Sequence, residues 1–549
     1  MQVITALFKF SPQKSIQFIA WGILGAMLKT ILFVLLNEFV TALSRFEKKP
    51  WLFVIALSVL GCNILVEFLY YKRAANLIQA YIQNLKEKLA KTLNKTELLD
   101  FEALGENHVF STVAQYTAML SLLGPYLSTA LLQGQLAAIF MFIYIGIQAP
   151  IAAIISIIWL VAFGTFIFQR LGRPLSRIRK AFHGSKKHYL EKLDHLLKGF
   201  KEISVNQHKK QAVLLAHDIQ AMQSAKLLQK TIYIDRLRSV YMDPFFLGLL
   251  AVLVFVIGML AGEGYQATAL SIVILMLMLM RSVYHILISF EDWNMVKHSI
   301  DMLESLQTEL KKNQTDLEIP NFTQKSALQH GLELKNISFT YPHQPAKPSY
   351  GIGPINLKIQ KGECIFIVGG NGTGKSTLLK VITQLYTAQK GRIYQDDIAI
   401  GLQNVKQYQQ LFSTIFTDFH LFEQLYSIEK INQEHIEYLL QLFGIEQHVL
   451  FDGSHFQFTG LSTGQKKRLA MLQVFLENRA VYIFDEVAAD QDPNYRKFFY
   501  EIVLNDLKQL NKTVIAVSHD DHYFHVADRV LEMKNGQLHN YSPSKPKAT

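Results

Sequence analysis

Apolar positions repeat in two different ways along this chain, and the change falls near residue 300. Before it, they run in long blocks. Six blocks reach the roughly 20 residues that a bilayer core requires: 16–42, 51–71, 119–145, 150–169, 240–262 and 266–290. They predict six membrane helices. The connections near 43–50, 146–149 and 263–265 are short, and those at about 72–118 and 170–239 are long. Within the long ones the spacing is helical, as in Leu77, Ile78, Tyr81, Ile82, Leu85 and Leu89, and in Tyr189, Leu193, Leu196 and Leu197. The membrane helices are therefore expected to run on as two hairpins. Their expected turns are 100–105, with Phe101, and 199–203, with Phe200. An aromatic among charges at each tip suits docking on another domain.

After residue 330 short apolar runs alternate with helical spacing, an α/β pattern. One run, Cys364–Val368, leads into Gly369, Gly370, Asn371, Gly372, Thr373, Gly374, Lys375, Ser376 and Thr377. This fits G-x-x-x-x-G-K-[ST] between a buried strand and a helix start, the context the motif needs. Glycines let the backbone curl so that N–H groups face phosphate oxygens, and the helix adds its positive end. Lys375 is expected to reach the β- and γ-phosphates of ATP, and Ser376 to ligate Mg²⁺. The expected fold is thus an all-α six-helix membrane domain at 1–310 and a linker at 311–330 containing Pro320. An α/β phosphate-loop NTPase domain follows at 331–549.

Three further stretches belong to the same chemistry. Leu461, Ser462, Thr463, Gly464 and Gln465 precede a helix and make a second anion-binding helix start. The run 480–484 delivers Asp485 and Glu486 at the tip of a buried strand. Asp485 can hold Mg²⁺, and Glu486 can polarise the water that attacks the γ-phosphate. The run 513–517 delivers His519, placed to sense that phosphate; His522 and His525 read as bystanders. Tyr341, at the end of a strand and before Pro342, is placed to stack on a purine ring.

Charge adds orientation. Lysine and arginine total 55 against 44 acids, a net +11 that could point to nucleic acid. The basic residues instead crowd the two long connections beside apolar blocks, so nucleic acid is not expected as a partner. The positive-inside bias puts both hairpins, the N-terminus and everything after 290 in the cytoplasm, with Arg45, Lys48 and Lys49 as a minor exception. The first apolar block follows Lys9 and Lys14, lacks a small-residue cleavage site, and reads as a retained anchor. The two cysteines, Cys62 and Cys364, lie in apolar runs and are expected to be buried and unpaired. Lys29, Asn37, Glu38, Asn63, Glu67 and Arg281 fall inside the expected spans. Lys29, near mid-span, is expected to line a polar cavity; Glu38, Glu67 and Arg281 lie nearer helix ends, where snorkelling is the alternative. Met276, Met278 and Met280 suit lipid contact or an adaptable surface for a bulky substrate.

Taken together these stretches resemble ATP-binding cassette (ABC) transporters, in the half-exporter arrangement of six membrane helices ahead of one ATPase domain. The resemblance implies that Gly369–Thr377 is Walker A, Leu461–Gln465 the signature and Asp485 the end of Walker B. It also implies that Glu486 is the catalytic carboxylate, His519 the switch histidine, Tyr341 the adenine-stacking aromatic and Asp492 a D-loop residue. The hairpin tips become coupling helices. The stretches 485–493 and 518–528 are similar to cyclic-peptide and siderophore-peptide exporters of Gram-negative bacteria, the pyoverdine and syringomycin type. One departure is Thr417, where the family's Q-loop glutamine stands just before Asp418. The resemblance further implies a homodimer in the bacterial inner membrane, lipid around it, ATP and Mg²⁺ as cofactors and a peptide-like cargo. A lipid or multidrug exporter, or a membrane-anchored regulatory ATPase, is the alternative.

Overall fold

The computed structural model describes residues 2–44, 46–260, 273, 279, 293–311, 327–342, 350–426, 428 and 432–542. The chain forms two units. One comprises Met1–Leu89 and Phe110–Leu306, the other Ala90–Val109 and Gln307–Thr549.

The first unit is helical. Three helices among the described residues are long and apolar enough to cross a membrane: Pro12–Ala42, Pro50–Lys95 and Pro150–Lys198. Gln133–Gln148 and Val240–Val256 are shorter apolar stretches in two more of the expected spans. The expected span at 266–290 lies largely outside the described residues, as do Arg281 and the three methionines named above. Helices open at Pro12, Pro50 and Pro150, where a fixed φ and a missing N–H cost nothing. Small residues such as Ala26, Ala137, Ala138, Ala152 and Ala153 let backbones approach closely around Phe245 and Leu249. Outward faces carry exposed Phe53, Leu57, Ile64 and Phe68, and Ile151, Ile154, Ile158 and Val161. A helix apolar on its outside is what a lipid solvent permits.

Both hairpins run on as helices beyond the apolar stretches, and short helices form their tips at Leu98–Leu104 and Phe200–Val205. Lys29 forms an ion pair with Glu67, so the alternative of snorkelling does not apply to Glu67. Two expectations need correction. Cys62 is exposed while Cys364 is buried, because the helix carrying Cys62 is apolar all round and its face cannot be read from hydropathy. At the first tip Leu98 and Leu99, not Phe101, pack on the apolar core of the second unit.

The second unit holds a six-stranded sheet. Its order is Gln537–Asn540, Arg529–Lys534, Cys364–Val368, Thr513–Val517, Val481–Asp485, Phe412–Ile415. All but the first are parallel. Cys364–Val368, Thr513–Val517 and Val481–Asp485 are buried along their whole length, which is why they read as unbroken apolar runs. A four-stranded antiparallel sheet adds Gly351–Gln360, Gly331–Thr340, Lys390–Gln395 and Ile398–Ala399. The tip helix Leu98–Leu104 belongs to this unit. Its Glu102 accepts hydrogen bonds from Lys380 Nζ (2.9 Å) and from the Tyr386 hydroxyl.

Candidate functional site

Parallel strands deliver ligand-binding groups at their carboxyl ends. Here four of them do so side by side. Cys364–Val368 runs into the loop Gly369–Gly374, which feeds the helix Lys375–Ile382. Two glycines in that loop are obligatory. Gly369 has φ 144°, and a Cβ there would lie 2.4 Å from the Met533 carbonyl. Gly374 has φ 108°, and its Cβ would lie 2.5 Å from Ile352. The first amides of the helix that follows have no partner within it, which leaves donors for an anion. The Lys375 ammonium is buried. It donates to the carbonyls of Gly369 (2.9 Å) and Gly370 (3.2 Å) and lies 3.7 Å from Glu486 Oε1.

Strand register sets the acids and the histidine. Val517 pairs with Asp485 on one side and Ile367 on the other. Glu486 and His519 therefore meet just past the sheet, with His519 Nε2 3.1 Å from Glu486 Oε1. The stretch that carries His519 is itself tied down. Tyr500 bonds Ser518 (2.7 Å) and donates to Asp520 (2.9 Å), and Arg496 donates to Asp520 (3.3 Å). His525 donates to the His522 carbonyl at 3.0 Å, away from this group.

The donor set fits a magnesium ion. Asp485 Oδ1 is buried with no hydrogen-bond partner. Burial pushes the Asp485 carboxyl above the usual carboxylate range, while hydrogen bonds from Ser376 and Thr417 pull it back. Three oxygen groups, one a carboxylate with an unpaired oxygen, suit a hard cation that keeps phosphate and water as its other ligands. Among the described residues no group of three or more His, Cys, Asp or Glu could hold a metal by itself. Thr417 thus lies within hydrogen-bond reach of Asp485 even though its side chain is shorter than glutamine.

Tyr341 lies beside the loop, its hydroxyl 3.0 Å from Thr377 Oγ1. Its ring stacks on Tyr350 (centroids 6.1 Å apart), and Tyr350 donates to the Gly372 carbonyl at 2.7 Å. The sequence reading missed Tyr350; its signal is an aromatic immediately ahead of the strand Gly351–Gln360.

Leu461–Gln465 is arranged differently. Ser462 caps the helix Thr463–Glu477 in a reciprocal box: its hydroxyl accepts from Gln465 N (3.2 Å), and Gln465 Oε1 accepts from Ser462 N (2.9 Å). Among the described residues no hydrogen bond or ion pair joins this stretch to Gly369–Thr377. From beyond that helix, Gln491 Nε2 donates to the Gly464 carbonyl at 2.9 Å. Asp492 caps the helix Pro493–Lys497, accepting from Tyr495 N (3.0 Å) and from Arg468 (2.6 Å). Those donors hold its carboxyl below the usual range.

Residues 352–489 match the family model for ABC transporters. The chain is 42% identical over 209 residues to the ATP-binding protein SyrD of Pseudomonas syringae pv. syringae, covering 37% of each chain. It is 34% identical over 223 residues to the nisin transport ATP-binding protein NisT of Lactococcus lactis subsp. lactis, covering 37% of this chain and 36% of that one. These matches span little more than a third of either relative's length. A solved structure of a bacterial Atm1-family ABC exporter with ATP bound has the same fold (TM-score 0.73). That likeness covers 96% of this chain and 94% of the exporter at 15% identity.

Proposed function

We propose that this chain, an ABC transporter ATPase domain fused to a helical unit of exporter fold, is an ATP-driven half-exporter acting as a homodimer. One observation carries the reading. The chain assembles the phosphate loop, Asp485, Glu486 and His519 into one group, whereas Leu461–Gln465 bonds elsewhere. Each chain then contributes the loop side of one nucleotide site and the signature side of the other. The proposed location is the bacterial inner membrane, with the N-terminus and the ATPase domain in the cytoplasm.

ATP enters with its adenine against Tyr341 and its phosphates in the loop. Lys375 exchanges the Gly369 and Gly370 carbonyls for the β- and γ-phosphates. Ser376, Asp485 and Thr417 would hold Mg²⁺, which would supply positive charge beside the phosphates. Glu486 accepts the proton of the attacking water, and His519 fixes the Glu486 carboxylate while facing the γ-phosphate. Closure of the dimer drives the change from inward- to outward-facing, and hydrolysis releases it.

Two outcomes are expected here. Thr417→Val removes one oxygen from the cation's surroundings, so half-maximal ATPase activity should need severalfold more Mg²⁺; titrating Mg²⁺ at fixed ATP measures this. Glu102→Ala frees Lys380 and Tyr386 from the hairpin tip. It should reduce the cargo moved per ATP more than it reduces ATP hydrolysis in proteoliposomes.

The proposed cargo is peptide-like, such as a cyclic peptide or siderophore precursor. Support comes from the sequence resemblance to that exporter branch and the likeness to a protein named for nisin transport. Metabolite profiling of cells lacking the protein is the test. A retained peptide is expected; unchanged peptides with new sensitivity to unrelated apolar drugs would shift the reading to a multidrug exporter.

A further inference from the structure

We propose that Lys467 is a positioning residue for Glu486, acting from the helix Thr463–Glu477 on the main chain of the carboxylate residue. The inference rests on the reading of Glu486 as the hydrolytic base.

Lys467 is 4% exposed, and an ammonium that deep needs partners. It has two. Its Nζ donates to the Glu486 carbonyl at 2.8 Å and to Asp490 Oδ2 at 2.7 Å. The first bond is the informative one. Glu486 has φ 54°, a left-handed conformation that few residues other than glycine adopt. The strand before it ends at Asp485, so no ladder bond fixes the Glu486 backbone. The buried ammonium, with a longer bond from the Ala489 N–H (3.3 Å), holds the carbonyl, and the carbonyl's direction sets where the side chain emerges towards His519.

The segment that follows is fastened to the same helix. Gln491, also buried, donates to the Gly464 carbonyl (2.9 Å) and accepts from Arg468 Nε (3.1 Å). Arg468 donates to Asp492 and lies over the Tyr495 ring, 4.0 Å from its centroid. Residues 486–492 are thus bound to the first two turns of the helix that begins at Ser462. A displacement of that helix start reaches the Glu486 main chain through Lys467.

The chemistry allows a sharp separation. Asp490 is about half exposed, with 54% of its side chain in solvent, so losing its charge leaves the Lys467–Glu486 bond in place. If Lys467 only fastened Asp490, Lys467→Met and Asp490→Asn would behave alike.

The test uses the full-length protein in proteoliposomes, with ATP turnover, MgATP affinity and thermal midpoint measured on each variant. Lys467→Met should lower kcat at least tenfold while KM and Kd for MgATP stay within twofold. Lys467→Arg, which keeps a buried donor, should recover at least a third of kcat. Asp490→Asn should lose less than threefold. A wild-type kcat in Lys467→Met overturns the proposal. So does a loss of kcat matched by equal losses of MgATP affinity and thermal stability that Lys467→Arg does not repair. Glu486→Gln is run alongside: normal turnover there sinks the functional reading itself. An inactive Glu486→Gln beside an active Lys467→Met sinks only this inference.

Discussion

Glu486→Gln is expected to cut ATP turnover by about a hundredfold or more, the range for losing a positioned general base. Glutamine has the same shape but cannot take a proton from water. Its amide still reaches His519, which lies 3.1 Å from Glu486 Oε1, so the site should keep its form. The variant also removes a negative charge 3.7 Å from Lys375, in the region the γ-phosphate would occupy. MgATP should therefore bind as well as before or better, and ATP-bound dimers should accumulate. Phosphate release measures the first effect, and nucleotide retained by the purified dimer the second. Normal turnover in this variant would remove Glu486 from its role.

Lys375→Ala is expected to act on the other term. Removing one partner of a buried charge pair costs about 2–5 kcal/mol, so the Kd for MgATP should rise about thirtyfold or more. The Gly369 carbonyl would also lose its donor, which costs about 1–3 kcal/mol where it stays dry, whereas the Gly370 carbonyl keeps the Thr373 hydroxyl at 2.8 Å. A lower thermal midpoint without nucleotide should accompany the weaker binding. The pair of variants then separates: one binds and does not turn over, the other fails to bind. Equilibrium binding of a fluorescent ATP analogue, with Mg²⁺ present, distinguishes them.

What could be read beforehand follows from how locally each feature is encoded. The phosphate loop was legible because a strand, a glycine pattern and a helix start are consecutive. The runs 364–368, 481–485 and 513–517 were legible because strands buried on both faces are apolar at every position. Placing Asp485, Glu486 and His519 at their ends needed no long-range information. The Lys29–Glu67 pair joins two helices and leaves no periodic trace. Glu102 meets Lys380 and Tyr386 across more than two hundred residues, so its role at the tip was invisible beside the more conspicuous Phe101. Lys467 did leave a trace. It shares helical spacing with Ala470, Met471 and Val474, all buried, yet a lysine among charged neighbours reads as solvated. The left-handed backbone at Glu486 had none, since glutamate carries no preference for it.

The Ser462 hydroxyl already has work inside its own helix, where it satisfies the Gln465 amide. In the dimer proposed above, meeting a partner's nucleotide means giving up that bond for another of similar kind. The net gain of such an exchange is small, about a kcal/mol for a typical hydrogen bond. A contact built this way forms readily and lets go readily. In the proposed dimer, such a weak latch would leave resetting unhindered at this point.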